Sequence, residues 1–293
     1  MKLQANGLQI EVDVQGPAGG EPVLLIMGLG MQLVAWPEEL VAELVARGFR
    51  VIRFDNRDIG LSQGHDHLGM PRMVGAMLRY TLRLPVPSPY TLRDMADDAA
   101  GVLTALGIPA AHVCGASMGG MIAQQMALRH PQQVKSLTLI MTTSGARHLP
   151  QPSLRVRQAL LARPRSTAVA DVVAHMEGLV HTIGSPGYRP EPARLRERLE
   201  ASVRRAYRPA GTARQLLAIV ADGDRTPLLR QIRHPTRVIH GADDPLVPPA
   251  AGQHLASLIP GATLDLVPGM GHDLPLPLLP RIADGIATAA GRA

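Results

Sequence analysis

The five residues Gly115-Ala116-Ser117-Met118-Gly119 set a serine between two glycines, directly after a short apolar run and directly before a segment with helical spacing. A strand that turns abruptly into a helix strains its turn residue and lifts that side chain clear of the sheet. Both glycines have a mechanical reason, because side chains two positions either side would collide where strand and helix cross closely. A serine hydroxyl is a poor nucleophile at neutral pH, so a histidine must accept its proton and an acid must orient the histidine. Among eleven histidines, His272 stands out, in the flexible loop Pro268-Gly269-Met270-Gly271-His272 after the last predicted strand. His112, His130, His234 and His240 lie within or beside predicted elements and read as structural. For the acid, Val238-Ile239-His240-Gly241-Ala242-Asp243-Asp244 ends just past a strand, and Asp243 and Asp244 are both candidates. The chemistry these types suit is acyl transfer through a covalent serine intermediate.

Such chemistry also needs hydrogen-bond donors aimed at the tetrahedral oxyanion, each worth about 3 kcal/mol of barrier. The backbone N–H of Met118 is one candidate. The other is the N–H of Leu29, in the Gly28-Leu29-Gly30 turn after the apolar run Val23 to Met27. The segment Asp55-Asn56-Arg57-Asp58-Ile59-Gly60-Leu61-Ser62 offers further carboxylates, but Asp55 and Arg57 read as braces for the loop beneath the site. His65 and His67 flank Asp66 with no third ligand evident, so no metal is expected. Cys114, in the run before Ser117, reads as core.

The elements that must position these residues alternate. Apolar runs at Val23 to Met27, Val51 to Phe54, His112 to Cys114, Ser136 to Met141, Arg237 to His240 and Thr263 to Val267 suit strands buried on both faces. Between them, Pro37 opens a helix that Gly48 stops, Thr91 caps a second, and a third runs from Ser117 to Arg129 before Pro131. This is the pattern of an α/β fold with a mostly parallel sheet and helices on both faces. The alternation breaks where Arg, Leu and Ala dominate, which predicts an inserted helical cap over 145–222 between core segments 1–144 and 223–293, closed by a last helix near Leu278 to Ala289. A smaller insertion, Leu68 to Pro89, carries Met70, Met73, Val74, Met77 and Leu78 at helical spacing beside Arg72, Arg79 and Arg83. Its apolar side is expected to pack on the core or to line a pocket entrance, with lipid contact a lesser alternative.

Composition excludes several classes. With 293 residues the chain can bury a large core. The net charge of +6 is nearly all arginine, scattered along the chain, and aromatics are 2%, so no nucleic-acid partner is expected. The longest apolar stretch, Pro22 to Trp36, contains Gly28, Gly30 and Gln32 and is too short to span a bilayer. After Lys2 come Gln4, Asn6, Gln9, Glu11 and Asp13, with no apolar leader, and Cys114 is the lone cysteine. Both point to a cytoplasmic protein. A homo-oligomer stays open.

Met27-Gly28-Leu29-Gly30, Phe54 to Ser62, Gly115 to Gly120, His240 to Pro248 and Gly269 to His272 together resemble the α/β-hydrolase superfamily over nearly the whole chain. The resemblance implies the α/β-hydrolase fold. It also favours Asp244 over Asp243, as the fourth place of Gly-x-x-Asp, and the order Ser117, Asp244, His272 is the family's order. Met27 departs from the commoner His-Gly-x-Gly turn, a change that a backbone donor tolerates. Trp36-Pro37, Pro87-Ser88-Pro89-Tyr90-Thr91 and Ala210-Gly211-Thr212-Ala213-Arg214-Gln215 resemble the aclacinomycin methylesterase-like esterases. That subgroup implies cofactor-free hydrolysis of a small-molecule carboxylic ester under a cap. Lactone hydrolysis, cofactor-free perhydrolysis and C–C bond hydrolysis use the same triad, and a hydrolase-like binding protein is the non-enzymatic alternative. An aspartate in place of Ser117 would have marked an epoxide hydrolase or haloalkane dehalogenase.

Overall fold

Eight strands form one sheet in the computed structural model, which describes residues 1–291. Positions 292–293 of the predicted last core segment lie outside the described residues. In chain order the strands are β1 (Lys2–Ala5), β2 (Leu8–Gln15), β3 (Glu21–Ile26), β4 (Phe49–Phe54), β5 (Ala111–Ala116), β6 (Val134–Ile140), β7 (Thr236–Gly241) and β8 (Thr263–Val267). Their spatial order is β1-β2-β4-β3-β5-β6-β7-β8, with the β1–β2 and β2–β4 pairs antiparallel and the remaining pairs parallel. The β1–β2 hairpin was not among the expected strands. Its signal is nonetheless present: Leu8, Ile10 and Val12 alternate inward with Gln9, Glu11 and Asp13 outward, the period of a half-buried strand.

The helices are α1 (Glu38–Ala46), α2 (Met73–Thr81), α3 (Leu92–Ala105), α4 (Met118–Arg129), α5 (Leu154–Leu161), α6 (Val169–Ile183), α7 (Pro192–Arg205), α8 (Pro209–Asp222), α9 (Thr226–Leu229), α10 (Ala250–Leu258) and α11 (Leu279–Ala290). Adjacent side chains of β3 serve opposite faces. Leu24 and Ile26 belong to the core on the side of α3, α4 and α10, whereas Val23 and Leu25 belong to the core on the side of α1 and α11. Burial on both faces is why these strands read as continuous apolar runs. Thr91 and Asp94 exchange hydrogen bonds in a capping box that fixes the start of α3.

Helices α5 to α8 lie between β6 and β7, and among the described residues no strand occurs there. Val172 and Val173 of α6 pack on Leu195, Leu199 and Val203 of α7 in a small core of their own. The expectation that the apolar side of the 68–89 insertion packs on the core is corrected. Ala76 is the one buried residue of α2, and Val74, Met77 and Leu78 face solvent. Periodicity identified the helix and its stripe, but carries no information on which side of the stripe the protein lies.

Sheet order sets the site. Ile26 is paired with Gly115, so the turns leaving β3 and β5 emerge side by side. Strand β7 pairs with β8, which brings the loops carrying Asp244 and His272 together at the same edge. Both pairs of loops leave the carboxyl ends of parallel strands, where sites form in open α/β sheets.

Candidate active site

Ser117 joins β5 to α4 with φ 54° and ψ −119°, a conformation that side-chain-bearing residues seldom adopt. Its N–H donates to Ile140 (2.9 Å), and its carbonyl accepts from Thr142 Oγ1 (2.6 Å), so the end of β6 and the loop after it hold the turn. The two glycines are required by different neighbours. A Cβ on Gly115 would sit 2.2 Å from the carbonyl oxygen of Gly119, the strand–helix crossing anticipated from sequence, whereas one on Gly119 would sit 1.9 Å from the carbonyl oxygen of Ile26 in β3.

His272 and Asp244 come to this serine from the far end of the chain. His272 Nε2 lies 3.0 Å from Ser117 Oγ, and His272 Nδ1 lies 2.7 Å from Asp244 Oδ2. Asp244 is buried, and its other oxygen accepts the N–H groups of Leu246 (2.9 Å) and Val247 (2.8 Å). With the carboxylate as acceptor, the imidazole proton belongs on Nδ1, which leaves the Nε2 lone pair facing the hydroxyl. Asp243 instead accepts the N–H of Gly269 (2.8 Å) and ties down the histidine loop.

The four histidines read as structural have other partners. His112 meets Ser136 (2.8 Å), His130 meets Asp97 (2.6 Å), and His234 meets the carbonyl of Pro131 (3.0 Å). His240 meets the carbonyl of Val247 (2.8 Å), and burial holds it below the usual histidine value. Burial likewise raises the Cys114 thiol well above its ordinary range. Asp66, between His65 and His67, is ion-paired with Arg208 and Arg214.

On the other side of Ser117, a Cβ on Gly28 would stand 3.2 Å from the serine Cβ. In the same turn the N–H of Gly30 donates to Gln215 (2.9 Å) and that of Met31 to Gly28 (3.2 Å). The N–H groups of Leu29 and Met118 meet no acceptor among the described residues. Two unspent donors therefore flank the serine.

The stretch Gly211-Thr212-Ala213-Arg214-Gln215 of α8 bolts this turn to the loop after β4, a role that its sequence alone did not disclose. Gln215 takes the Gly30 N–H on its oxygen and donates from its nitrogen to the carbonyl of Arg57 (2.9 Å). Gly211 lies against the backbone of Asp58, and Thr212 fills the space over Gly30. Arg214 makes a two-pronged bond to Asp58 (2.7 Å each), and Tyr90 donates its hydroxyl to the same carboxylate (2.8 Å). Burial pushes Asp58 up, but Arg214, the His65 N–H and Tyr90 overcome it and hold the carboxyl below its usual range. Asp55 accepts from the N–H groups of Leu33 (2.7 Å) and Leu61 (2.8 Å), and Arg57 pairs with Asp98 (2.6 Å) on α3.

A second clamp comes from the end of α6. The N–H of His272 donates to Ile183 (2.8 Å), that of Gly271 to Ser185 Oγ (2.8 Å), and that of Ser185 to Asp273 (3.0 Å). Burial raises the Asp273 carboxyl even though Ser185 donates to it. Asp273 and Ser185 were not among the expected residues. Only their adjacency to His272 and to a helix end marked them.

The α/β-hydrolase-fold family model matches residues 21–276. The chain is 31% identical over 289 residues to rhodomycin D methylesterase DauP of Streptomyces sp. (strain C5), spanning 89% of this chain and 88% of that one. Rhodomycin D methylesterase DnrP of Streptomyces peucetius is 30% identical over 289 residues with the same coverage, 89% and 88%. Among solved structures, the enol-lactonase of Burkholderia xenovorans LB400 superposes with a TM-score of 0.75 at 21% identity, covering 99% of this chain and all of that one. That last likeness is one of fold.

Proposed function

We propose that this chain, which belongs to the α/β-hydrolase family, hydrolyses carboxylic esters through an acyl-enzyme on Ser117. The observation that carries the reading is the line from Asp244 through His272 to Ser117, with separations of 2.7 and 3.0 Å. As Ser117 Oγ attacks the ester carbonyl, its proton passes to His272 Nε2, and buried Asp244 keeps Nδ1 protonated and stabilises the imidazolium. The carbonyl oxygen gains charge between the N–H groups of Leu29 and Met118. His272 then protonates the departing alcohol. Water, deprotonated by His272, releases the acid in a second attack and regenerates the serine.

Helices α5 to α8, within residues 145–222, serve as a cap over the site. Two relatives named methylesterases support an ester, and small to medium apolar acyl or methyl esters are the proposed substrates. Nothing in the two-step cycle requires a cofactor. A p-nitrophenyl ester series of increasing chain length, with simple lactones alongside, tests this. Wild type should turn over the short esters, and Ser117→Ala and His272→Ala should lose on the order of 10³-fold or more. Ester turnover by Ser117→Ala at the wild-type rate would exclude the reading.

A further inference from the structure

Helix α2 is built the wrong way round for a surface helix of a globular protein. Such a helix ordinarily buries its apolar stripe and exposes its charges. Here Ala76 is buried, with Met73 and Tyr80 half-buried on the same side, while Val74 is 86% exposed and Met77, Leu78 and Leu82 face water. Helix α5 repeats the arrangement. Val156 is its buried residue, and Leu154 and Leu161 are 70% and 69% exposed. The guanidinium of Arg147, in the segment leading to α5, lies 4.4 Å over the Tyr80 ring and ties that segment to α2.

The chain segments that carry these leucines hold charge of one sign. The chain has no Asp or Glu between Asp66 and Asp94, nor between Asp98 and Asp171. Arg72, Arg79 and Arg83 are exposed beside α2. Arg147, Arg155, Arg157, Arg163 and Arg165 are exposed around α5. These eight account for the whole excess of positive charge: of 30 Lys and Arg, the other 22 stand against 24 Asp and Glu. Among the described residues none of the eight meets a carboxylate. Arg79 and Arg157 reach only the carbonyls of Pro85 and Pro152.

We infer that the surface of α2 and α5 docks on an anionic lipid bilayer, with the leucine, valine and methionine side chains in the acyl boundary and the arginines among the headgroups. Exposed apolar side chains rimmed by arginine are what an interfacial helix presents. The same arginines oppose a second copy of the chain, because a two-fold interface would set this patch against itself with no carboxylate to answer it. They also lack stacking partners for nucleic acid, since Tyr80 is already covered by Arg147. The patch borders the site: α2 packs on α8, whose Thr212 and Gln215 hold Gly30. An apolar ester dissolved in the bilayer would thereby be presented to the Ser117 edge of the sheet.

Co-sedimentation with phosphatidylcholine vesicles, with and without phosphatidylserine, reads the docking independently of turnover. Wild type should pellet with the phosphatidylserine vesicles at low salt and leave them near 1 M salt, where the Debye length is about 3 Å. The triple variant Arg72→Gln, Arg79→Gln, Arg83→Gln should bind on the order of 100-fold more weakly. Leu78→Asp combined with Leu161→Asp should also abolish binding, with circular dichroism unchanged because both positions are exposed. Equal binding to neutral and anionic vesicles, no binding by wild type, or undiminished binding by the triple variant would overturn the inference.

Discussion

Replacing Gln215 with leucine would separate the support of the proposed oxyanion turn from the chemistry itself. Gln215 is fully buried, and its amide joins the N–H of Gly30 to the carbonyl of Arg57, both at 2.9 Å. Leucine is similar in volume, so the cavity contribution is small. The change instead strands a donor and an acceptor, each costing about 1–3 kcal/mol, for a stability loss of about 3 kcal/mol. With Gly30 released, the neighbouring Leu29 N–H would lose its aim in the proposed oxyanion hole. One such donor is worth about 3 kcal/mol, so kcat should fall about 10²-fold. KM should move much less, because the donor meets charge that exists only in the transition state. Gln215→Glu keeps an acceptor for Gly30 but sets a second acceptor against the Arg57 carbonyl. It should recover part of kcat while remaining destabilised. Steady-state kinetics on a short p-nitrophenyl ester, beside urea unfolding, reads both quantities. A folded Gln215→Leu protein with wild-type kcat would refute the reasoning.

Two further outcomes follow from the same geometry. Ser117→Gly should be inactive yet about 1 kcal/mol more stable in urea. It relieves strain of about 1–3 kcal/mol at φ 54°, against a glycine entropy cost of about 0.5–1 kcal/mol, whereas Ser117→Ala keeps the strain and gains nothing. Burial lowers the proton affinity of His112, His240 and His254 in the folded state. As pH falls below about 6.5 the unfolded chain therefore binds protons that the folded chain refuses, and stability should decline, by at most about 1.4 kcal/mol per pH unit for each histidine. His240→Gln should make that decline shallower, as urea midpoints at pH 7.5 and 5.5 would reveal; an unchanged pH slope would count against it.

What was legible in the sequence was local. Gly115 and Gly119 are dictated by contacts within or beside the turn they flank, and the runs that became β3 to β8 declare their burial by being apolar throughout. The β1–β2 hairpin was hidden because its outward residues, exposed Gln9 and half-buried Glu11 and Asp13, are polar by type, and only their alternation with Leu8, Ile10 and Val12 marks a strand. Distance along the chain hid more. Gln215 meets Gly30 across 185 residues, and Arg214 meets Asp58 across 156, so their types suggested hydrogen bonding without naming a partner. Asp273 beside His272 has the same history, since its partner Ser185 lies at the end of α6. For α2, spacing alone could not tell an inward stripe from an outward one.

The central claim is that Ser117 is the nucleophile and His272 its base. Incubation with a fluorophosphonate, followed by peptide mass spectrometry, tests it most directly, because the reagent bonds to an activated serine without needing the right ester. One adduct is predicted, on the peptide containing Ser117, absent from Ser117→Ala and strongly slowed in His272→Ala. Labelling elsewhere, or an unlabelled wild type that is folded, would contradict the account.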